Sequence, residues 1–455
     1  MKGSICKLKN LERQQNSLGK LLRDVGKIQE FQNKIYQKAK QEKDYKFYIL
    51  IDKIISVRFL HEAYLRCKAN RGSAGIDKID FDTIEAQGED KFVYELRKEL
   101  KDKTYKPSPV KRVYIEKANG KLRPLGIPTI KDRVVQMSCK LVIEPIFEAD
   151  FEECSYGFRP KKSAHGAVAE IKKNLKLGNT AVLDADLSSY FDTIPHDKLM
   201  KLVALRISDI HTLNLIKSWL KAPVSENGKL QSGKKNKIGT PQGGVISPLL
   251  ANIYLNLMDK IIVDKWTLFR NSGIKVVRYA DDFVLMGKEI KDIHIEKLKA
   301  LLENMGLNLN EEKTKVVIAT EEKFDFLGFS FRYDKSRYKT YEKFWNVIPS
   351  KNSENKARHK LKEYFENNGH LNPWDVSEDL NSKIRGLVNY YSIENVSYPN
   401  KFKRNLKYYL RNKLNRYYKR KSQRSCKLYN KRAYEILKEK YGLIEITDYK
   451  KLAKA

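Results

Sequence analysis

The chain has 455 residues, 41% of them hydrophobic, and a formal net charge of +34 from 90 Lys and Arg against 56 Asp and Glu. This composition describes a folded protein with room for two or three lobes, whose positive field attracts polyanions, nucleic acid first among them. No stretch approaches the roughly 18–20 uninterrupted apolar residues of a spanning helix, so no membrane partner is expected. The start, MKGSICKLKN, lacks the apolar centre of a signal peptide. Cys6, Cys67, Cys139, Cys154 and Cys426 are too scattered for a disulfide framework or for zinc-ligand spacing. A cytoplasmic nucleic-acid binder is the expectation.

Residues 1–50 are polar, charged and free of proline, and read as a helical extension. An amphipathic helix is predicted over 51–67, followed by the loop NRGSAGIDKID, whose GxxG is no phosphate cradle because no GK[ST] follows. Apolar residues alternate around Ala118-Asn119-Gly120 and predict a hairpin from 107 onward. A helix over 132–147 has Val134, Val135, Cys139, Leu141 and Val142 on its apolar face. TAVLDADLSSYFDTIPH then reads as a strand ending in acids, with a helix after Pro195 and a charged hairpin near Asn227-Gly228. Ser247 as N-cap and Pro248 as N1 predict the start of another helix. A hairpin around 278–287, a helix over 293–305 and strands through 324–331 follow, and beyond Pro349 the chain is helical and basic.

The hairpin sequence RYADDFVLMG places two adjacent carboxylates between apolar runs. Alone, it fits a purely structural turn, since Asp pairs tolerate tight turns. Asp186, however, ends an apolar strand of its own. If the two elements share a sheet, Asp186, Asp281 and Asp282 converge. Three converging carboxylates are stable around divalent cations, and all-oxygen ligation suits Mg²⁺. Two such ions about 3.5–4 Å apart activate an attacking hydroxyl and stabilise the leaving oxygen in phosphoryl transfer.

In this company the chain resembles the reverse transcriptases, and among them the group II intron-encoded reverse transcriptase/maturases. RYADDF is similar to the family's YxDD hairpin and DADLSSYFDTIPH (184–196) to its first catalytic strand. GTPQGGVISPLLANIYLN (239–256) resembles the template and nucleotide loop in its group II form. LRPLGIPTIKDRVVQ (122–136) and SYGFRPKKSAHGAV (155–168) resemble fingers motifs, and GLNLNEEKTK (306–315) and FLGFSF (326–331) the last palm region and primer grip. SKIRGLVNYYSIENV (382–396) is similar to the maturase segment, with Leu387 where a Trp is usual.

The resemblance implies an α+β right-hand polymerase. Its parts would be an N-terminal extension (1–50), fingers (51–175), palm (176–335), helical thumb/maturase-like region (336–425) and basic tail (426–455). It implies Asp186, Asp281 and Asp282 as ligands of two Mg²⁺ ions and as catalytic residues, with Asp184 and Asp192 structural. It implies Lys313 as the acid that protonates pyrophosphate, and Lys117, Arg123, Phe191 and Gln242 as nucleotide contacts, Phe191 being the gate against a ribose 2′-OH. Leu327 and Gly328 would form the primer grip. The segment 401–434 holds fourteen Lys or Arg and no acid. Within it Arg404, Lys407, Arg411, Arg416, Lys419 and Arg420 are expected to bind RNA. The implied partners are an RNA template, a DNA or RNA primer, deoxynucleoside triphosphates and a structured intron RNA. A freestanding reverse transcriptase without an intron, or an RNA-binding maturase with little polymerase activity, are the alternatives. No Cys/His endonuclease module follows the thumb, so second-strand DNA cleavage is not expected.

Overall fold

The structure is a computed structural model that describes residues 24–116, 120, 122–231, 237–240, 243–336, 342–369, 371–421 and 432–450. A helix over 24–41 (α1) precedes α2 (Ile51–Ile54), α3 (Val57–Ala69), α4 (Phe81–Gln87) and α5 (Glu89–Lys101). Strands β1 (Val110–Glu116) and β2 (Leu122–Ile127) come next, then α6 (Ile130–Glu148), α7 (Ala164–Lys176) and β3 (Ala181–Ala185). Helices α8 (Tyr190–Thr193), α9 (His196–Ala204) and α10 (Ile210–Leu220) lead to β4 (Val224–Glu226), β5 (Lys229–Gln231), α11 (Ser247–Val263) and α12 (Leu268–Asn271). The chain continues with β6 (Lys275–Tyr279), β7 (Asp282–Gly287), α13 (Asp292–Met305), β8 (Lys315–Ile318), β9 (Phe324–Phe326), β10 (Phe329–Lys335) and β11 (Lys343–Pro349). It ends in α14 (Lys351–Asn367), α15 (Pro373–Tyr391), α16 (Asn400–Lys421) and α17 (Ala433–Tyr441). The fold is α+β.

Local chemistry explains two departures from the predicted elements. The helix expected over 51–67 is broken between α2 and α3. There the Ser56 hydroxyl accepts from Phe59 N, capping α3, and donates to Lys53 O. The start of α2 is capped from far along the chain, by Asp209 Oδ2 accepting from Leu50 N and Ile51 N, both at 2.8 Å. At α11 the cap position falls on Ile246 rather than Ser247, one residue earlier than predicted.

The sheet that positions the acids is antiparallel, in the order β6-β7-β3-β8. Its strands feed two cores by strict alternation. Leu183, Ala185, Phe283 and Leu285 pack with α6 and α11 on one side. Val182, Val277, Val284 and Met286 pack with α7, the β9–β11 sheet and helices α14 to α17 on the other. Each fully buried Val, Leu or Phe stabilises by about 1.5–3 kcal/mol relative to exposure. Slipping β3 by one residue would drive Asp184 into the first core, so the register is set by burial.

Candidate active site and basic helix

The order of the strands brings the acids together. β3 pairs with β7 so that Ala185 lies opposite Phe283, which leaves Asp186 beside Asp282. β6 and β7 are joined by a two-residue loop, Ala280-Asp281, between the paired Tyr279 and Asp282. Ala280 has φ 59°, a left-handed conformation that costs an L-residue roughly 1–2 kcal/mol. Asp186 and Asp281 line one cleft of about 370 Å³ with Arg123, Phe191, Asp192, Asn310 and Lys313.

The electrostatics show a site crowded with negative charge. Desolvation by the surrounding protein, followed by the carboxylates of Asp281, Asp186 and Asp184, pushes Asp282 up to about 6, although the residue is exposed. Asp281 is also raised, first by burial and then by Asp186, with the guanidinium of Arg123 opposing. Asp184 lies on the same strand face as Asp282, and burial pushes it up to about 6. Lys313 Nζ forms an ion pair with Asp186 Oδ2, and the backbone N–H of Asn310 donates to the backbone carbonyl of Asp186 at 2.8 Å. The hydrogen bond from Lys313 Nζ to the Asp186 carboxylate, above all, raises the Lys313 ammonium above its usual range.

Among the described residues no three His, Cys, Asp or Glu side chains are placed to hold an ion by themselves. The donor set still suits Mg²⁺, which retains several waters and takes one or two carboxylates together with substrate phosphates rather than a complete protein cage.

The residues expected to contact the nucleotide divide. Arg123, on β2 opposite Ile115, reaches the cleft. Phe191, 9% exposed, lines it too, and its carbonyl accepts from Thr240 N at 2.6 Å. Lys117 and Gln242 lie outside the described residues. Leu327 and Gly328 join β9 to β10 with φ of 49° and 79°, the pair of positive angles that suits a tight two-residue hairpin. This turn is gripped from the C-terminal helices. Tyr390 OH donates to Leu327 O at 2.9 Å, and Ser350 N and Ser353 Oγ donate to Gly328 O at 2.8 and 2.9 Å. A Cβ at position 328 would lie 2.8 Å from Ser353 Oγ. Tyr390 belongs to the NYY stretch, so one structural task of that segment is to hold this turn.

On α16 the buried residues Phe402, Leu406, Leu410 and Leu414 form the inner face. Not all of the cations opposite are uncompensated, as the local absence of acids had suggested. Lys407 pairs with Glu445 at 2.8 Å and Arg411 with Glu435 at 3.2 Å, both acids lying beyond residue 434. Arg404, Arg416 and Lys419 are exposed. Arg404 and Arg416 have no carboxylate at ion-pair distance among the described residues, and the Arg420 side chain lies outside them.

Sequence reasoning missed the support beneath the acids. Arg278 is fully buried and forms an ion pair with Asp259, which is equally buried. The available signal was a lone arginine in the apolar strand VVRY and a lone aspartate amid LNLMDKII.

Two family models match the chain: reverse transcriptase (RNA-dependent DNA polymerase) over residues 115–331, and the group II intron maturase-specific domain over 355–434. Protein YkfC of Escherichia coli is 37% identical over 68% of this chain and 90% of its own length. The group II intron-encoded protein LtrA of Lactococcus lactis is 37% identical over 57% of this chain and 41% of its own. An uncharacterized 91 kDa protein in the cob intron of Schizosaccharomyces pombe is 28% identical over 81% of this chain and 54% of its own. The chain thus spans nearly all of the first relative but about half or less of the other two. A solved chain of a Cas6-RT-Cas1–Cas2 complex is 23% identical over 56% of this chain and 42% of its own, with a TM-score of 0.36. The class is defined by its two parts, a reverse transcriptase domain followed by a maturase domain. The chain belongs to the group II intron-encoded reverse transcriptase/maturase family. No helix among the described residues is long and apolar enough to cross a membrane.

Proposed function

We propose that the protein is an RNA-directed DNA polymerase of right-hand architecture that binds a structured intron RNA and promotes its splicing and mobility. The observation that carries the polymerase reading is the single cleft holding Asp186, Asp281, Arg123, Phe191 and Lys313. Each of these groups has a task in adding a deoxynucleotide to a primer 3′ end. Asp186 and Asp281, with Asp282 beside them, hold two Mg²⁺ ions, which when bound supply an activated 3′ hydroxyl and a stabilised leaving oxygen. Arg123, with Lys117 from the same hairpin, holds the triphosphate, a forked and a point cation suiting phosphate oxygens. The Phe191 ring fills the space of a 2′-OH, and Gln242 lies against the nucleotide. Lys313 has its proton held firmly by Asp186 and gives it to the departing pyrophosphate. Leu327 and Gly328 seat the primer end.

The intron reading rests on the maturase domain and on the cationic face of α16. Arg404 and Arg416, which have no carboxylate at ion-pair distance among the described residues, reach phosphates directly with Lys419, while Lys407 and Arg411 act through the same face after exchanging their acids for RNA. The test is extension of a DNA primer on an RNA template with deoxynucleotides and Mg²⁺, and self-splicing of the cognate intron at low Mg²⁺ with and without protein. Extension that an Asp186→Asn change leaves intact would reject the polymerase assignment. Splicing that added protein does not accelerate would reject the maturase one.

A further inference from the structure

We infer that Arg278 is a positioning residue for the catalytic turn: its guanidinium, locked by buried partners, holds the Ala280 carbonyl so that Asp281 faces the cleft. The inference rests on the reading of Asp281 as a metal ligand.

Four of the five N–H groups of the guanidinium have named acceptors. Nε donates to Asp259 Oδ1 and Oδ2 at 2.9 and 3.0 Å, and Nη2 to Oδ2 at 2.5 Å. Nη1 donates to Asn252 Oδ1 and to Ala280 O, both at 2.9 Å. Asn252 in turn donates to Gly157 O at 2.8 Å. The circuit closes behind the turn, because a Cβ at Gly157 would lie 2.3 Å from Ala280 N. The backbone of Arg278 is fixed as well: its N–H donates to Cys154 O and its carbonyl accepts from Tyr156 N.

Stability alone is a weak reason for such a pair. A fully buried ion pair is often no more stabilising than apolar residues of similar volume. Here the pair leaves one arm of the fork for a carbonyl in the loop that carries Asp281, at the residue held in a left-handed conformation. Without that hydrogen bond the Ala280–Asp281 peptide is free to rotate about ψ of Ala280 and φ of Asp281, which swings the Asp281 carboxylate away from Asp186. A planar fork can satisfy Asp259, Asn252 and Ala280 at once; an ammonium cannot match that geometry.

The test uses the full chain, Mn²⁺ as a spectroscopic probe of metal binding, and two variants. Arg278→Lys keeps the buried charge. The double change Arg278→Met with Asp259→Leu removes both charges together, and its melting temperature is expected to stay near that of the wild type. Both variants are expected to bind Mn²⁺ at least tenfold more weakly and to need at least tenfold more Mg²⁺ for half-maximal extension. Arg278→Lys with Mn²⁺ binding within twofold of wild type overturns the inference, as does a folded double variant that behaves so. If the double variant does not fold, the lysine variant decides alone. Asp281→Asn measured alongside separates the two layers. Wild-type Mn²⁺ binding in Asp281→Asn defeats the metal reading itself. Its loss there, with retention in the Arg278 variants, defeats only the clamp.

Discussion

In the proposed function the turn that carries Asp281 and helix α16 both present charge to nucleic acid, and they are built in opposite ways. Asp281 stands on a two-residue loop whose carbonyl is held by a buried guanidinium and whose strands are packed on both faces. The cations of α16 stand on one exposed helix face, and two of them are already matched by the protein's own acids. Chemistry at a phosphate needs atoms placed to a fraction of an ångström, which is why its support is buried and over-determined. Attraction to a polyanion needs only accessible charge, so its contributions are diffuse and each is small. The same substitution should therefore matter greatly in one place and modestly in the other.

The largest effect tests the first half of that contrast. Asp281→Asn is expected to lower primer extension by a factor on the order of 10³, since a lost metal ligand removes several kcal/mol of transition-state stabilisation. RNA affinity should be nearly unchanged. Residual extension within tenfold of wild type would show that the turn is not where the metal is held. Next in size is Phe191→Ala, expected to lower the dGTP-over-rGTP ratio of kcat/KM by about 10- to 100-fold, worth about 1.4–2.7 kcal/mol. An unchanged ratio in an active enzyme would return the ring to ordinary packing.

On α16 the expected change is in salt dependence rather than in any single step. Arg404→Gln with Arg416→Gln should flatten the slope of log K against log salt for structured RNA by roughly 1.4–1.8, two contacts at about 0.7–0.9 each. Lys407→Gln with Arg411→Gln should flatten it less and lower the melting temperature slightly, because those cations also hold Glu445 and Glu435. Equal slopes for the two double variants would erase the distinction between free and matched cations.

The two regions also differed in how far they could be read from sequence. Short apolar runs in AVLDA, KVVRY and DFVLMG made three strands of the central sheet legible, and the acids at their ends followed. The clamp beneath them was not legible. Arg278 and Asp259 are nineteen residues apart on a strand and a helix, and only packing α11 under the sheet makes them partners. Helix α16 showed the reverse. Its basic composition was plain, but the acids that neutralise part of it lie on α17 and just past it, so a count within 401–434 overstated the free charge. Local rules missed the break before α3 because Ser56 serves as a cap in the middle of an otherwise continuous apolar pattern.

The smallest expected effect concerns the joint between the two regions. Lys172 on α7 is 4% exposed, and its ammonium donates to Asn395 O at 3.2 Å and Val396 O at 2.7 Å, in the segment between α15 and α16. It lies 4.7 Å from the centre of the Tyr398 ring, and no carboxylate among the described residues is at ion-pair distance. Burial, and then the neighbouring charge of Lys176, lowers its pKa to about 8. The folded protein therefore binds fewer protons at this site than the unfolded chain does between about pH 8 and the ordinary lysine range near 10.5. Stability rises with pH wherever the unfolded state binds more protons, so the cost of the buried charge is present in full below pH 8 and is relieved as pH climbs toward 10.5. Lys172→Met carries no such cost but leaves the two carbonyls without their donor. The melting temperature of the wild type, relative to this variant, should rise by a few degrees between pH 7 and pH 10. A constant difference across that range would mean that Lys172 keeps an ordinary pKa in the fold, and that the joint is held by the Tyr398 contact and backbone packing instead.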